Sequence, residues 1–375
     1  MKIAVLKERL GGETRVAATP ETAKKLVALG HEIHIETGAG ETAGFLDDAY
    51  TAEGARIAKD VAAAVSGADV VFKVRAPDSD ETKTLPEGVT LIALMDPFGL
   101  GDGAADLNAR KITSLAMEFV PRISRAQSMD ALSSQANLAG YRTIIEAAEL
   151  YGRAMPMMMT AAGTVAPAKV FIMGVGVAGL QAIATARRLG AVVTATDVRP
   201  ATKEQVASLG AKFVAVEDEE FKAAETAGGY AKQMSPEYQA KQAELVAGHI
   251  AKQDIVVTTA LIPGRPAPVL VSEDMVKTMR PGSVIIDMAV SQGGNCPLSK
   301  PDEIVETGGV KIAGYTNLPA RLPADSSALY AKNIFAFLPL ITADDGALNL
   351  ETDDEIVTAM ILTQGGETVN ERLKG

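Results

Sequence analysis

The chain has 375 residues, 47% of them hydrophobic and 22% charged, enough apolar matter for the cores of two or three domains. A formal charge of −11 argues against nucleic acid or an anionic lipid surface as the main partner. A single cysteine, Cys296, excludes a disulfide within the chain, suits a reducing compartment and reads as an inert small residue in a loop.

The opening stretch, Met1-Lys-Ile-Ala-Val-Leu-Lys, has too short an apolar run for a signal peptide and predicts a strand over 2–6. Thr19 is placed to cap a helix with Pro20 in its first turn and Gly30 at its end. Apolar runs predict further strands over 32–36, 70–74, 89–95 and 112–118, with helical stretches between them. Strands alternating with helices imply a parallel sheet covered on both faces. This first α/β stretch has no glycine fingerprint. A polar segment over 121–137 leads into a long helix over about 131–151, which is expected to join two domains.

Residues 168–199 hold the most informative pattern. A short apolar strand (170–173) runs into Gly174-Val175-Gly176-Val177-Ala178-Gly179, then an Ala-rich helix ending at Gly190, then a second strand closing on Asp197. The first glycine permits a tight turn, the second lets backbone approach a pyrophosphate, and the third lets the helix lie close to its strand. The helix start offers free N–H groups to a phosphate. Asp197, 18 residues after Gly179, is positioned to accept hydrogen bonds from the adenosine-ribose hydroxyls and to repel a 2′-phosphate. The expected ligand is therefore NAD(H), although Arg199, two residues beyond the acid, pulls the other way. The competing reading is a glycine-loosened turn that binds nothing.

Beyond this unit, strands are predicted over 212–216, 254–260, 283–288 and 310–316. The intervening stretch 217–252 is charged and glycine-punctuated, and Gly228-Gly229-Tyr230 suggests a mobile flap over about 217–235. Helical residues 326–338 and the tail have no sheet of their own to cover and are expected to return to the first domain. The expected fold is α/β, two Rossmann-like domains with mainly parallel sheets (1–137 plus 322–375, and 138–321) and a nucleotide in the cleft between them. No internal repeat is visible. The longest uncharged stretch, 170–186, contains the three glycines and reads as strand plus helix, so no transmembrane helix is expected.

The polar segment gathers Arg122, Arg125, Gln127, Asp130, Ser133 and Gln135. Such a mixture of donors and acceptors suits a clamp on a nicotinamide ribose and carboxamide; the alternative is a solvated loop with helix capping by Ser128 or Asp130. His31, His34 and His249 accompany no site motif, and no Cys/His cluster has metal-ligand spacing, so no metal is expected. A dehydrogenase acting on a C–OH or C–NH₃⁺ group must move a proton. Hydride exchange between two nicotinamides needs no such step. Without an evident acid–base histidine the second chemistry is favoured, though Lys73 or an aspartate is available.

Several blocks together resemble the NAD(H)-binding component of proton-translocating nicotinamide nucleotide transhydrogenase. They are Lys7-Glu-Arg, Glu13-Thr-Arg15-Val-Ala, Pro121-Arg-Ile-Ser-Arg-Ala-Gln-Ser-Met-Asp130, Thr160-Ala-Ala-Gly-Thr, Gly174–Gly179 and Ala227-Gly-Gly-Tyr-Ala-Lys232. Thr259-Ala-Leu-Ile-Pro-Gly264, Pro281-Gly-Ser-Val-Ile-Ile-Asp287 and Gly293-Gly-Asn-Cys-Pro-Leu298 complete the set. The resemblance covers nearly the whole chain. It implies that Arg122, Gln127, Asp130 and Ser133 position the nicotinamide end, that Gly174–Gly179 and Asp197 hold the adenosine half, and that Tyr230 lies on a mobile loop closing over the nucleotide. It also implies a homodimer, with NADP(H) on a separate beta subunit and a membrane-domain subunit that moves protons. The chain is then expected in the cytoplasm, attached peripherally to the inner membrane through those partners.

Alanine dehydrogenase resembles the chain as a sister family. Arg15 and Lys73 match its substrate-carboxylate and basic positions. Its catalytic histidine has no counterpart in Ala93-Leu94-Met95-Asp96, and its catalytic aspartate is Ser291 here, before Gln292-Gly293-Gly294. A dehydrogenase of that kind and a non-catalytic NAD-binding regulatory module are the alternatives.

Overall fold

Short β-branched runs separated by capped helices produce two open sheets in the computed structural model, which describes residues 1–222 and 234–373. The chain divides into two units, Met1–Gln135 with Pro319–Gly375, and Ala136–Leu318.

In the first unit, β1 (Lys2–Val5), β2 (Glu32–Glu36), β3 (Arg56–Ala58), β4 (Val70–Arg75), β5 (Thr90–Leu94) and β6 (Thr113–Ala116) are parallel, in the order β3-β2-β1-β4-β5-β6. The period of two sends Val70, Phe72 and Val74 into one core and Val71 into the other, so both faces are covered. Helix Pro20–Ala28 starts from a capping box in which Thr19 and Thr22 bond each other's backbone N–H, and the chain leaves it through Gly30 at φ +87°.

The second unit opens with a separate antiparallel hairpin, β7 (Met158–Thr160) and β8 (Gly163–Val165). Its main sheet comprises β9 (Lys169–Met173), β10 (Val192–Thr196), β11 (Lys212–Phe213), β12 (Ile255–Thr258), β13 (Val284–Asp287), β14 (Ile304–Thr307) and β15 (Val310–Ala313). The order is β11-β10-β9-β12-β13-β15-β14, parallel except for the edge pair β14–β15. Counted within its own unit, each parallel core runs 3-2-1-4-5-6, the doubly wound Rossmann order.

The structure differs from the sequence expectation at several edges. The strand expected over 212–216 is two residues long, and β3, the β7–β8 hairpin and β14 carry no expectation. The tail does more than cover a sheet. After helix Pro323–Phe337 it supplies β16 (Ile361–Gln364) and β17 (Glu367–Thr368), with β16 antiparallel to β6. Gly365 and Gly366, at φ +63° and +92°, make the two-residue turn that joins them.

Candidate functional site

Where β9 ends, Gly174 turns the chain at φ +104°, a conformation side-chain-bearing residues rarely adopt. Its N–H bonds the Thr196 carbonyl at 2.9 Å and its carbonyl accepts the Thr259 hydroxyl at 3.1 Å. A Cβ at Gly179 would lie 1.9 Å from that same carbonyl oxygen, so only glycine lets helix Val177–Arg188 approach the strand. Gly140, inside helix Ala131–Leu150, is equally constrained, since its Cβ would fall 2.1 Å from the Ala178 carbonyl oxygen. Gly176 differs: it is exposed, and a Cβ there would meet nothing within 4 Å. The middle glycine therefore opens onto free space at the start of a helix whose first N–H groups have no partner within it. That geometry fits a pyrophosphate.

Asp197 follows directly on β10, and its side chain is 8% exposed. Oδ2 accepts the Val175 N–H at 2.7 Å and Arg199 Nη2 at 3.0 Å; Oδ1 accepts the Arg199 N–H and Nε, both at 2.9 Å. Arg199 Nη2 also reaches the Val175 carbonyl at 3.1 Å. Bonding to Asp197 raises the Arg199 guanidinium pKa further. The turn, the acid and Arg199 thus form one hydrogen-bonded unit. The first unit carries a close counterpart, in which Glu36 at the end of β2 accepts the Lys7 N–H at 2.9 Å and Arg9 Nη2 at 2.5 Å.

Two further residues, given no role by the sequence, brace the loops at the C-terminal ends of β12 and β13, the side of such sheets where ligands bind. Asp287 is fully buried. It accepts from the Thr258 hydroxyl (3.2 Å), the Ala289 and Cys296 N–H groups (2.9 and 3.0 Å) and the Ser299 hydroxyl (2.6 Å). Asn295, also buried, donates to the Ala260 and Pro268 carbonyls at 2.9 and 2.8 Å and accepts the Ala260 N–H at 3.1 Å. The available signal was an acid ending an apolar strand, followed by Gly293-Gly294-Asn295.

The nicotinamide-clamp candidates lie together in the first unit. Residues Ser124–Met129 form a 3-10 turn, and Asp130 caps the long helix through the Ser133 N–H at 2.8 Å while its second oxygen takes the Ser133 hydroxyl at 2.5 Å. Arg122 and Gln127 are exposed and make no side-chain hydrogen bond among the described residues. Arg125 is committed to Asp354 at 2.8 and 2.9 Å. Beneath them, Arg15 is 2% exposed and bonds Glu13 (2.8 and 2.7 Å) and the Gln135 amide oxygen (2.7 Å). Lys73, fully buried, pairs with Glu81 at 2.6 Å and Glu8 at 3.5 Å. Burial pushes the Glu8 carboxyl pKa up, against the pull of Lys73. Gly174–Gly179 and Asp197 form a second group, in the other unit. Tyr230, and with it most of the expected flap, lies outside the described residues.

His249 bonds the Thr194 hydroxyl at 2.8 Å and packs edge-on against Phe171, and burial lowers its pKa. His34 pairs with Glu32 at 2.6 Å. His31 is buried and its pKa is likewise lowered by burial. Burial also raises the Cys296 thiol pKa. Among the described residues no group of His, Cys, Asp or Glu is arranged to hold a metal ion, and no helix is long and apolar enough to cross a membrane.

Two units of Rossmann strand order, one with an open glycine turn and an acid after the next strand, define a protein of the dinucleotide-binding α/β class. Residues 4–139 match the family model described as alanine dehydrogenase/PNT, N-terminal domain, and residues 143–371 that of the C-terminal domain. The chain belongs to this family. It is 57% identical to the first part of the NAD(P) transhydrogenase alpha subunit of Rhodospirillum rubrum, over 100% of this chain and 99% of that one. A crystal structure of transhydrogenase from Sinorhizobium meliloti superposes with a TM-score of 0.90 at 52% identity, covering 98% of this chain and 100% of that one. Alanine dehydrogenase of Bacillus subtilis is 30% identical over 99% of this chain and 93% of its own length. The sister-family relation is thereby established, and within it the chain stands with the transhydrogenase subunits.

Proposed function

We propose that the chain is the NAD(H)-binding component of a proton-translocating NAD(P) transhydrogenase, exchanging hydride with NADP(H) held on a partner subunit. NADH brings a hydride at its nicotinamide C4, and the acceptor is the C4 of a second, oxidised nicotinamide. The chain's own task is then to bind and orient. Gly176 and the helix behind it receive the pyrophosphate, Asp197 and Arg199 face the adenosine ribose, and Arg122, Gln127, Asp130 and Ser133 engage the nicotinamide end. Tyr230 belongs to the segment proposed to close over the nucleotide and exclude water. Rate enhancement comes from holding donor and acceptor carbons at roughly 3–3.5 Å. A homodimer with membrane-domain and NADP(H)-binding subunits as partners, and peripheral attachment to the cytoplasmic face of the inner membrane through them, completes the proposal. Proton translocation resides in those partners.

One observation carries this reading over amino-acid oxidation. The positions that would handle a substrate proton hold Asp96, exposed on the loop after β5 at φ +46°, and Ser291, exposed in the short turn Val290–Gln292. Arg15 and Lys73, the retained cations, are buried against Glu13, Glu8 and Glu81. Titrating NADH into the purified chain, then adding NAD⁺ with alanine, tests the choice. The expected result is NADH binding without amino-acid-dependent reduction of NAD⁺; robust alanine turnover reverses the ranking.

A further inference from the structure

The proposed site places the adenosine-ribose hydroxyls at the Asp197 carboxylate, so a cation bonded to that carboxylate is within reach of whatever the ribose carries at its 2′ position. Arg199 is such a cation, with Nε 2.9 Å from Oδ1 and Nη2 3.0 Å from Oδ2. Its side chain is 35% exposed against 8% for Asp197, so the guanidinium lies on the more open side of the pair. A guanidinium fork donates to a phosphate by the same two-pronged geometry with which it holds a carboxylate. The neighbouring Lys203 is engaged with Glu217 at 2.5 Å.

We propose that Arg199 is a specificity-determining residue: it offers a ready-made phosphate anchor, and Asp197 turns the site away from NADPH by keeping that anchor occupied as well as by what charge the arginine leaves uncompensated. An uncompensated carboxylate repels a 2′-phosphate. A carboxylate already neutralised by a bidentate arginine repels it far less, and rejects it chiefly by withholding the donors it would need. Removing the acid while keeping Arg199 therefore does two things at once: it relieves the residual repulsion and frees a fork. This rests on the reading of Gly174–Gly179 and Asp197 as the NAD(H) site. It also suits hydride exchange between two nucleotide pools, which requires that this site refuse the partner's nucleotide.

Asp197 additionally pins the turn through the Val175 N–H, as Glu36 does for Lys7 in the first unit. Asp197→Asn retains an oxygen at the same reach for that bond and removes the charge; Asp197→Ser removes the charge and draws the remaining oxygen one bond back toward the chain. The test is to titrate NADH and NADPH separately into the full chain, the two Asp197 variants, each of them combined with Arg199→Met, and Arg199→Met alone. The parent is expected to bind NADH in preference to NADPH. Asp197→Asn and Asp197→Ser are expected to bind NADPH about tenfold or more tightly than the parent does, the size of one added charge-assisted hydrogen bond, and Arg199→Met removes the gain. Arg199→Met alone leaves an uncompensated acid and is expected to widen the preference for NADH. Unchanged NADPH affinity in the folded Asp197 variants, or a gain that survives Arg199→Met, overturns the proposal. Should melting curves show the Asp197 variants unfolded, an unaltered NADH-to-NADPH ratio in Arg199→Met overturns it instead. A parent that binds no NADH refutes the site itself, independently of Arg199.

Discussion

Asp130 caps a helix with the same oxygens that the proposed function assigns to the nicotinamide end. As a helix cap it satisfies the Ser133 N–H, and it orients the Ser133 hydroxyl with its other oxygen. Loss of such a cap costs about 1 kcal/mol, and asparagine caps as well as aspartate. Asp130→Asn therefore separates the two roles. It is expected to keep the parent's melting temperature yet slow hydride transfer about tenfold or more, the size of one transition-state hydrogen bond. NADH affinity should change much less. Gln127→Ala, at an exposed residue with no bond to lose among the described residues, should behave alike. A parent-like transfer rate in both variants would reduce this segment to a solvated loop with a capped helix. Arg15 belongs to the opposite category. It is buried in a bidentate pair with Glu13, whose carboxylate also takes Arg75 at 3.1 Å, so Arg15→Met removes two charge-assisted hydrogen bonds without stranding the acid and is expected to cost about 1.5–3 kcal/mol in denaturant unfolding.

At the scale of elements, the site depends on two helices meeting backbone to backbone at Gly140 and Ala178. An alanine for a glycine inside a helix ordinarily gains about 1 kcal/mol. Gly140→Ala is expected to do the reverse and destabilise by about 1–3 kcal/mol, because its methyl would occupy the space of the Ala178 carbonyl. Weaker NADH binding should accompany the loss, since the displaced carbonyl belongs to the first turn behind Gly176. A more stable variant in denaturant unfolding would contradict the close packing of the two helices.

The same meeting of helices explains what could be read in advance. Strand 170–173, the three glycines and the following helix were legible because each demand is local: an apolar run, a positive φ, a missing Cβ. Asp130 as a cap was legible for the same reason. Gly140 was not, because its constraint comes from residue 178. Nor were the Asn295 and Asp287 braces, whose bonds reach back to residues 258, 260 and 268. Strand β14 and the Met-rich β7 are short and mostly exposed, and β3 has only three residues, so none shows the alternation that marks a half-buried strand. The β16–β17 hairpin did carry a signal, Gly365-Gly366 after an apolar run, but no element is assigned from the sequence beyond residue 338. Arg199 was visible two residues from Asp197, but not its fold back onto both carboxylate oxygens.

For the molecule as a whole, two sheets of one strand order differ most in the turn after their first strand. In the first unit that turn is filled by Lys7, Glu8 and Arg9; in the second, glycines leave it open. Both turns are pinned by an acid at the end of the next strand, so the acid–arginine pair belongs to the architecture and the open space at Gly176 distinguishes the unit proposed to bind the nucleotide. No sequence repeat betrays this common plan, because strand order follows from right-handed crossovers and buried faces that many sequences satisfy.

Isotope tracing bears most directly on the proposed chemistry. NADH deuterated at the transferring C4 position is mixed with this chain, the NADP(H)-binding partner subunit and NADP⁺ in ordinary water. Direct transfer predicts one deuterium delivered to the nicotinamide of each NADPH formed and none released to solvent. NADPH formed without the label, or deuterium appearing in the water, would contradict direct transfer between two held rings.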